Sequence, residues 1–255
     1  MVLKLIIKNF LNKINISTYT FILIFICLLA GLFKEVIVIS IIILIHEFGH
    51  FFMLYYFKWN VKKINIYPFG GVITLNEDID KPLLSEFIIN LSGPLFQEIL
   101  FVFILILHKY NFITLYNYNL FKHYNFSILV FNLLPIIPLD GYKLFNIILN
   151  KFFNFRISYM INIIISIIFL IIFLLIFRQD SSYYFIIIYL IYQLIDNYKN
   201  RHYVYNRFIL EKKLKKSSYI KYKKIDNIKK MYRNKKNLIT DNGSYITEYR
   251  YTNKK

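Results

Sequence analysis

Apolar residues fall along this chain in long blocks separated by short polar stretches. Residues 18–32, 36–57, 88–107, 157–177 and 183–195 are each dominated by Ile, Leu, Phe and Val. Blocks of this kind, the shorter ones lengthened by their flanks, suit helices crossing a hydrocarbon layer about 30 Å thick. Residues 124–149 make a sixth block, which Pro135, Pro138 and the Asp140-Gly141 pair interrupt. Prolines break the helical hydrogen-bond ladder, and irregular backbone is tolerated at membrane depth only where protein or a water-filled cavity surrounds it. The pattern predicts an all-α polytopic membrane protein of about six spans, one of them broken around a cavity that holds Asp140. Taken alone, Leu139-Asp140-Gly141 fits an ordinary turn at the interface equally well.

Two stretches follow other rhythms. Residues 1–17 interleave Leu, Ile and Phe with Lys4, Lys8 and Lys13, as an interfacial helix does. No small-residue cleavage site follows, so the segment is expected to stay. Residues 61–75 alternate, Ile64 and Ile66 against Lys63 and Asn65, and break at Pro68-Phe69-Gly70-Gly71, which reads as a small β-hairpin. Open strands cannot face lipid, so the hairpin belongs at the surface or in a protein-lined cavity. It is either a plain connection or an edge on which an extended peptide substrate pairs. On the second reading Phe69, Gly70 and Gly71, with Pro135 of the broken span, are candidate substrate contacts.

Composition agrees with the membrane reading. The 255 residues are 57% hydrophobic, with a mean hydropathy of +0.47 despite 32 Lys plus Arg. A soluble domain is about 45 to 50% apolar. The formal charge of +18 is concentrated in residues 199–255, where 18 basic residues face 4 acidic ones, a net +14. Because this tail follows a bundle of spans, a membrane-proximal cytoplasmic segment is favoured over a nucleic-acid arm, and no direct nucleic-acid partner is expected. With a cytoplasmic N-terminus, the inner connections hold most of the lysines and arginines and the outer ones only Lys34, Lys109, Lys122 and Arg178. That is the positive-inside pattern, with both termini cytoplasmic. Cys27 stands alone, so neither an intrachain disulfide nor a multi-cysteine metal site is possible. The expected organisation is an interfacial segment (1–17), a membrane domain (18–198) and a short basic tail (199–255).

The chemistry sits in His46-Glu47-Phe48-Gly49-His50, inside the second apolar block. Ionisable groups at bilayer depth cost roughly 2.5 to 3.5 kcal/mol each on insertion scales and point to a function with a partner. Helical geometry puts positions i and i+4 on one face, so both imidazoles can reach one zinc ion, with Glu47 beside them as a general base. A chance match within a buried helix is the plain alternative. Catalytic zinc takes three protein ligands, and Asp140 of the broken span is the candidate third. Asn132, in the same segment, is the candidate donor to a developing oxyanion. Gln97 and Glu98 are polar within the third block, Glu98 either facing the cavity or marking a helix end. His108 and His123 lack a partner at ligand spacing and are expected in a solvated connection.

These motifs, with Ser92-Gly93-Pro94 and the run from Asn132 to Gly141, resemble in order and spacing the site-2-protease-like intramembrane zinc metalloproteases. The branch without a PDZ insertion that acts in endospore formation is the most similar. The Tyr198-Lys199-Asn200-Arg201-His202-Tyr203 stretch, followed by Arg207-Phe208-Ile209-Leu210-Glu211, resembles that branch's junction after the last span. The resemblance implies His46, His50 and Asp140 as ligands of one Zn2+, Glu47 as the catalytic carboxylate and Asn132 as the catalytic asparagine. It also implies a membrane-associated pro-sigma factor as substrate, regulatory membrane proteins as partners, and the membrane surrounding the forespore as the location. The branch usually ends in a nucleotide-sensing CBS-type domain. Here the segment after Leu210 is short and lysine-rich, so a reduced version at most is expected and a bound nucleotide stays open. Two other functions fit the residues: a general site-2-type protease acting on anti-sigma factors or signal-peptide remnants, and a non-catalytic membrane protein with a structural metal. Nothing in the pattern decides between a monomer and a homo-oligomer.

Overall fold

The computed structural model describes residues 2–67, 70–177, 184–215, 218–241 and 244–253. Its residues group into two units, one of residues 1–77 and 88–132, the other of 78–87 and 133–255.

In the first unit the chain opens with helix α1 (Val2–Lys13) and a short strand β1 (Ile14–Ile16), then α2 (Thr18–Leu29) and α3 (Phe33–Tyr56). Ser17 caps α2, its hydroxyl accepting from Thr20 N, while Thr20 Oγ1 donates to Ile66 O at 2.9 Å. The expected hairpin is present as β2 (Val61–Tyr67) and β3 (Gly70–Leu75), antiparallel with Ile64 opposite Ile73. The alternation did not reveal that β1 pairs parallel to β2, so the sheet has three strands with β3 at one edge. Ile6 and Phe10, one turn apart on α1, pack with Phe51 and Leu54 of α3 and Ile64 of β2. The side of α1 that carries Ile6 and Phe10 is thus buried in protein. α4 (Leu83–Lys109) and α5 (Leu115–Leu133) follow. His108 lies on α4, stacked on Tyr118 at 4.6 Å, and His123 is exposed on α5, so both sit on helices and not in the connection expected for them.

In the second unit, α6 (Asp140–Phe152) begins after an irregular run containing Pro135 and Pro138, and α7 (Phe155–Ile176) is capped by Asn154 Oδ1, 2.9 Å from Ile157 N. The broken block is therefore two helices, α5 and α6, with the breakpoint between them. α8 (Tyr184–Leu214) runs far past the apolar block into charged sequence. The expected turn at residues 178–182 lies outside the described residues. The basic tail is folded: β4 (Tyr222–Ile225) runs parallel to β5 (Lys236–Asp241), which pairs antiparallel with β6 (Ser244–Thr247), and α9 (Glu248–Asn253) closes the element. Its core is Phe155, Phe208, Ile225, Met231 and Ile239. The segment before α4 is held to this tail. Lys212 pairs with Asp80 at 2.5 Å, Arg233 with Glu86 at 2.8 Å, and Tyr219 OH donates to Asp80 O.

The protein is mostly helical, with small sheets. Among the described residues three helices are long and apolar enough to cross a membrane: α3, α4 and α7. The others fall short of that measure for different reasons. α2 has 12 residues, α5 carries Asn117, Asn119, Lys122, His123 and Asn125, and α8 is charged in its second half.

Candidate metal centre

His46, Glu47 and His50 sit in the middle of α3 and are buried there. Their neighbours on the opposite faces are Ile, Leu and Phe, so the helix needs no polar face except this one. The two imidazoles stand nearly perpendicular, with Nε2 of each 3.2 Å from the other.

The other ring nitrogens decide what those Nε2 atoms are. His50 Nδ1 lies 2.7 Å from Ile89 O, an atom that can only accept, so Nδ1 carries the proton. His46 Nδ1 lies 3.0 Å from Gln97 Oε1. Gln97 Nε2 in turn donates to Asn125 O at 2.8 Å, which fixes the amide's orientation and makes His46 Nδ1 a donor too. With Nδ1 carrying the proton, the neutral form of each ring leaves its lone pair on Nε2, and the two Nε2 atoms stand side by side. Two ligands at about 2.05 Å from a tetrahedral zinc stand about 3.3 Å apart, close to the 3.2 Å between these Nε2 atoms. The donor set fits zinc.

Glycines make the approach possible. A Cβ on Gly93 would lie 2.3 Å from His50 Nε2 and 2.8 Å from His46 Nε2, and one on Gly49 would lie 2.6 Å from Ser92 O. The Ser92-Gly93-Pro94 stretch of α4 thus crosses α3 at closest range, tied by Ser92 Oγ donating to Gly49 O at 3.0 Å. The hairpin reaches the same helix. Gly71 N–H donates to Glu47 Oε1 at 3.0 Å, and a Cβ on Gly71 would meet Glu47 Cδ at 2.2 Å. Glycine at 71 lets the edge strand rest on the carboxylate.

Of the residues singled out from the sequence, His46, Glu47, His50 and Gly71 come together in the first unit. Gly70 opens β3 at φ 144°, Asn132 is half-buried in the last turn of α5, and Phe69 lies outside the described residues. In the second unit, Asp140 is buried in the first turn of α6, where the helix N-terminus favours a carboxylate, and Lys143 Nζ donates to its Oδ1 at 2.7 Å. A Cβ on Gly141 would lie 2.1 Å from Leu133 O, so α6 starts hard against the irregular run. Pro135 is buried there, its carbonyl accepting from Ser166 Oγ at 3.1 Å. Sequence reasoning missed the part played by Gln97. A polar residue in an apolar block was its only signal.

Residues 34–123 match the model of peptidase family M50. The chain is similar to stage IV sporulation protein FB of Bacillus subtilis, 32% identical over 212 residues, which are 78% of this chain and 71% of that protein. It is also similar to a zinc metalloprotease of Methanocaldococcus jannaschii, 27% identical over 118 residues, 45% of this chain and 34% of the relative. In fold it is similar to a site-2 protease from the same archaeon, with a TM-score of 0.59 and 23% identity, over 72% of this chain and 91% of that one. A two-histidine site built for zinc, in apolar helices long enough to span a bilayer, accords with these likenesses, and the chain belongs to peptidase family M50, the membrane-embedded site-2 metalloproteases.

Proposed function

We propose that this protein is an intramembrane zinc endopeptidase that removes the membrane-associated pro-sequence of a sigma factor during endospore formation. The observation that carries the peptidase reading is the pair of Nε2 atoms 3.2 Å apart, with Glu47 next to them on the helix. The likeness to a sporulation protein over most of the chain supports the substrate. Asp140, a buried carboxylate at a helix N-terminus, is the third ligand beside His46 and His50. The whole chain makes six spans with both termini cytoplasmic, and residues 1–17, 18–198 and 199–255 are its interfacial segment, membrane domain and tail.

Zinc bound by these residues would polarise the scissile carbonyl and acidify the attacking water. Glu47 accepts the water proton and returns it to the leaving amine. Asn132 donates to the oxygen on which charge develops. The substrate unwinds and pairs along the free edge of β3, whose Gly71 N–H lies on Glu47, so that pairing and the base are coupled. Regulatory membrane proteins would act by covering that edge.

The test is co-expression with a pro-sigma factor, comparing wild type, Glu47→Gln and Asp140→Asn by the length of the substrate. Shortening by wild type alone is expected. Equal shortening by all three refutes the assigned roles, and a wild type that cuts only other tethered substrates refutes the sigma-factor assignment.

A further inference from the structure

We propose that Gln97 is a positioning residue for this centre: it holds His46 in the tautomer whose Nε2 faces the metal, and Asn125 holds Gln97 in the orientation that does so. The proposal rests on the reading of His46 and His50 as metal ligands.

The two histidines are held differently. His50 takes its acceptor from the main chain, Ile89 O, which no substitution removes. His46 takes its acceptor from a side chain, Gln97 Oε1, at 3.0 Å. A primary amide has nearly the same shape when flipped, and flipped it would present NH2 to the ring and force a bare Nδ1, moving the proton to Nε2. A protonated Nε2 cannot ligate. What prevents the flip is the carbonyl of Asn125, 2.8 Å from Gln97 Nε2, since two acceptors would otherwise face each other in a site without bulk water. Asn125 is itself fixed to the same stretch of α4, its Nδ2 donating to Glu98 Oε1 at 3.0 Å. Gln97 is fully buried in an apolar helix, where leucine or methionine would fill the space at no desolvation cost. Its amide is explained by the two bonds it makes, one at each end.

Three forms of the full chain in detergent separate this role from packing: wild type, Gln97→Met and Gln97→Glu. Met keeps the volume and loses both bonds, whereas Glu as a buried neutral acid keeps an oxygen for His46 Nδ1 and turns its O–H to Asn125 O in place of the amide N–H. Zinc retention is read by titrating each form with a competing chelator. Met is expected to weaken zinc by about 10- to 100-fold, the usual effect of losing a ligand's hydrogen-bond partner, and Glu by less. If Met holds zinc as wild type does, or Glu loses more than Met, the proposal is overturned. Nitrogen-15 spectra of the metal-free wild type give a second reading that needs no variant. His46 protonated on Nδ1 is expected, and protonation on Nε2 overturns the proposal. A wild type that binds no zinc under any loading overturns the ligand reading and this one together, while a zinc-bound wild type with an unaffected Met form overturns only this one.

Discussion

Two glycines stand where a methyl group has no room, and each guards a different part of the chemistry. A Cβ at 93 would press on both imidazole Nε2 atoms, so Gly93→Ala is expected to lose zinc and activity together while the helical circular dichroism stays as in wild type. A Cβ at 71 would press on the end of the Glu47 side chain, which can swing away. Gly71→Ala is therefore expected to keep its zinc and lose turnover by about a hundredfold, the usual penalty for misplacing a catalytic group by an ångström. Zinc content by atomic spectroscopy beside a cleavage assay tells the two apart. At this scale the sequence points to the proposed ligands and is silent about the residue proposed to orient one of them. His46 and His50 announce themselves by spacing on a helix, whereas Gln97 is recognisable only once α4 is laid against α3 and its amide is seen to bridge His46 and Asn125.

The elements that were hardest to read were those whose apolar signal is divided among short pieces. Long uniform blocks gave α3, α4 and α7 directly, and alternation gave the hairpin. In the tail, β4 and β5 each bury a single large apolar side chain in the core, Ile225 and Ile239, which leaves no periodicity to detect in lysine-rich sequence. That core is completed by Phe208, fully buried and packed against Phe155 with ring centroids 4.3 Å apart and the ring planes tilted by 32°. Phe208→Ala should cost the tail about 3 to 5 kcal/mol, seen as early loss of its strands in thermal melts of the full chain. The tail also holds a buried acid. Burial raises the pKa of Glu248 above its ordinary value, against the opposing pull of its own and Asn237's backbone N–H groups and of Lys212. A raised carboxyl binds its proton more tightly when folded than when unfolded, so this group's contribution is largest below the ordinary carboxyl range. It falls as pH climbs through the raised value and is flat beyond it. Glu248→Gln should flatten that slope, so the difference in melting midpoint between the two forms should widen from pH 4 toward neutrality. A constant difference would show that Glu248 titrates as an ordinary acid.

For the whole molecule, the question left to chemistry is which side of the membrane each connection faces. Among the described residues three helices meet the requirements of a span by length and apolarity, and the remaining three spans of the proposed six rest on short or interrupted blocks. Such blocks can cross only if their polar residues are sheltered, as buried Asn125 is, its side-chain amide donating to Glu98 Oε1. Charge supplies the independent argument. By the bias that orients spans, a tail of net +14 is expected on the cytoplasmic side, whereas the connection between α4 and α5 carries little positive charge. Cys27 is the chain's only cysteine, so Cys27→Ser gives a background into which single labels can be placed. Ile220 is 95% exposed in the tail and Phe112 is 79% exposed between α4 and α5. With an impermeant maleimide on intact cells, Phe112→Cys should be labelled and Ile220→Cys should not, and inside-out vesicles should reverse the result. Labelling of both from one side would mean an even number of crossings between them, where the six-span topology has three. The α5, α6, α7 and α8 segments would then have to be reassigned, with one of the interrupted or charged blocks lying on the membrane surface and not through it.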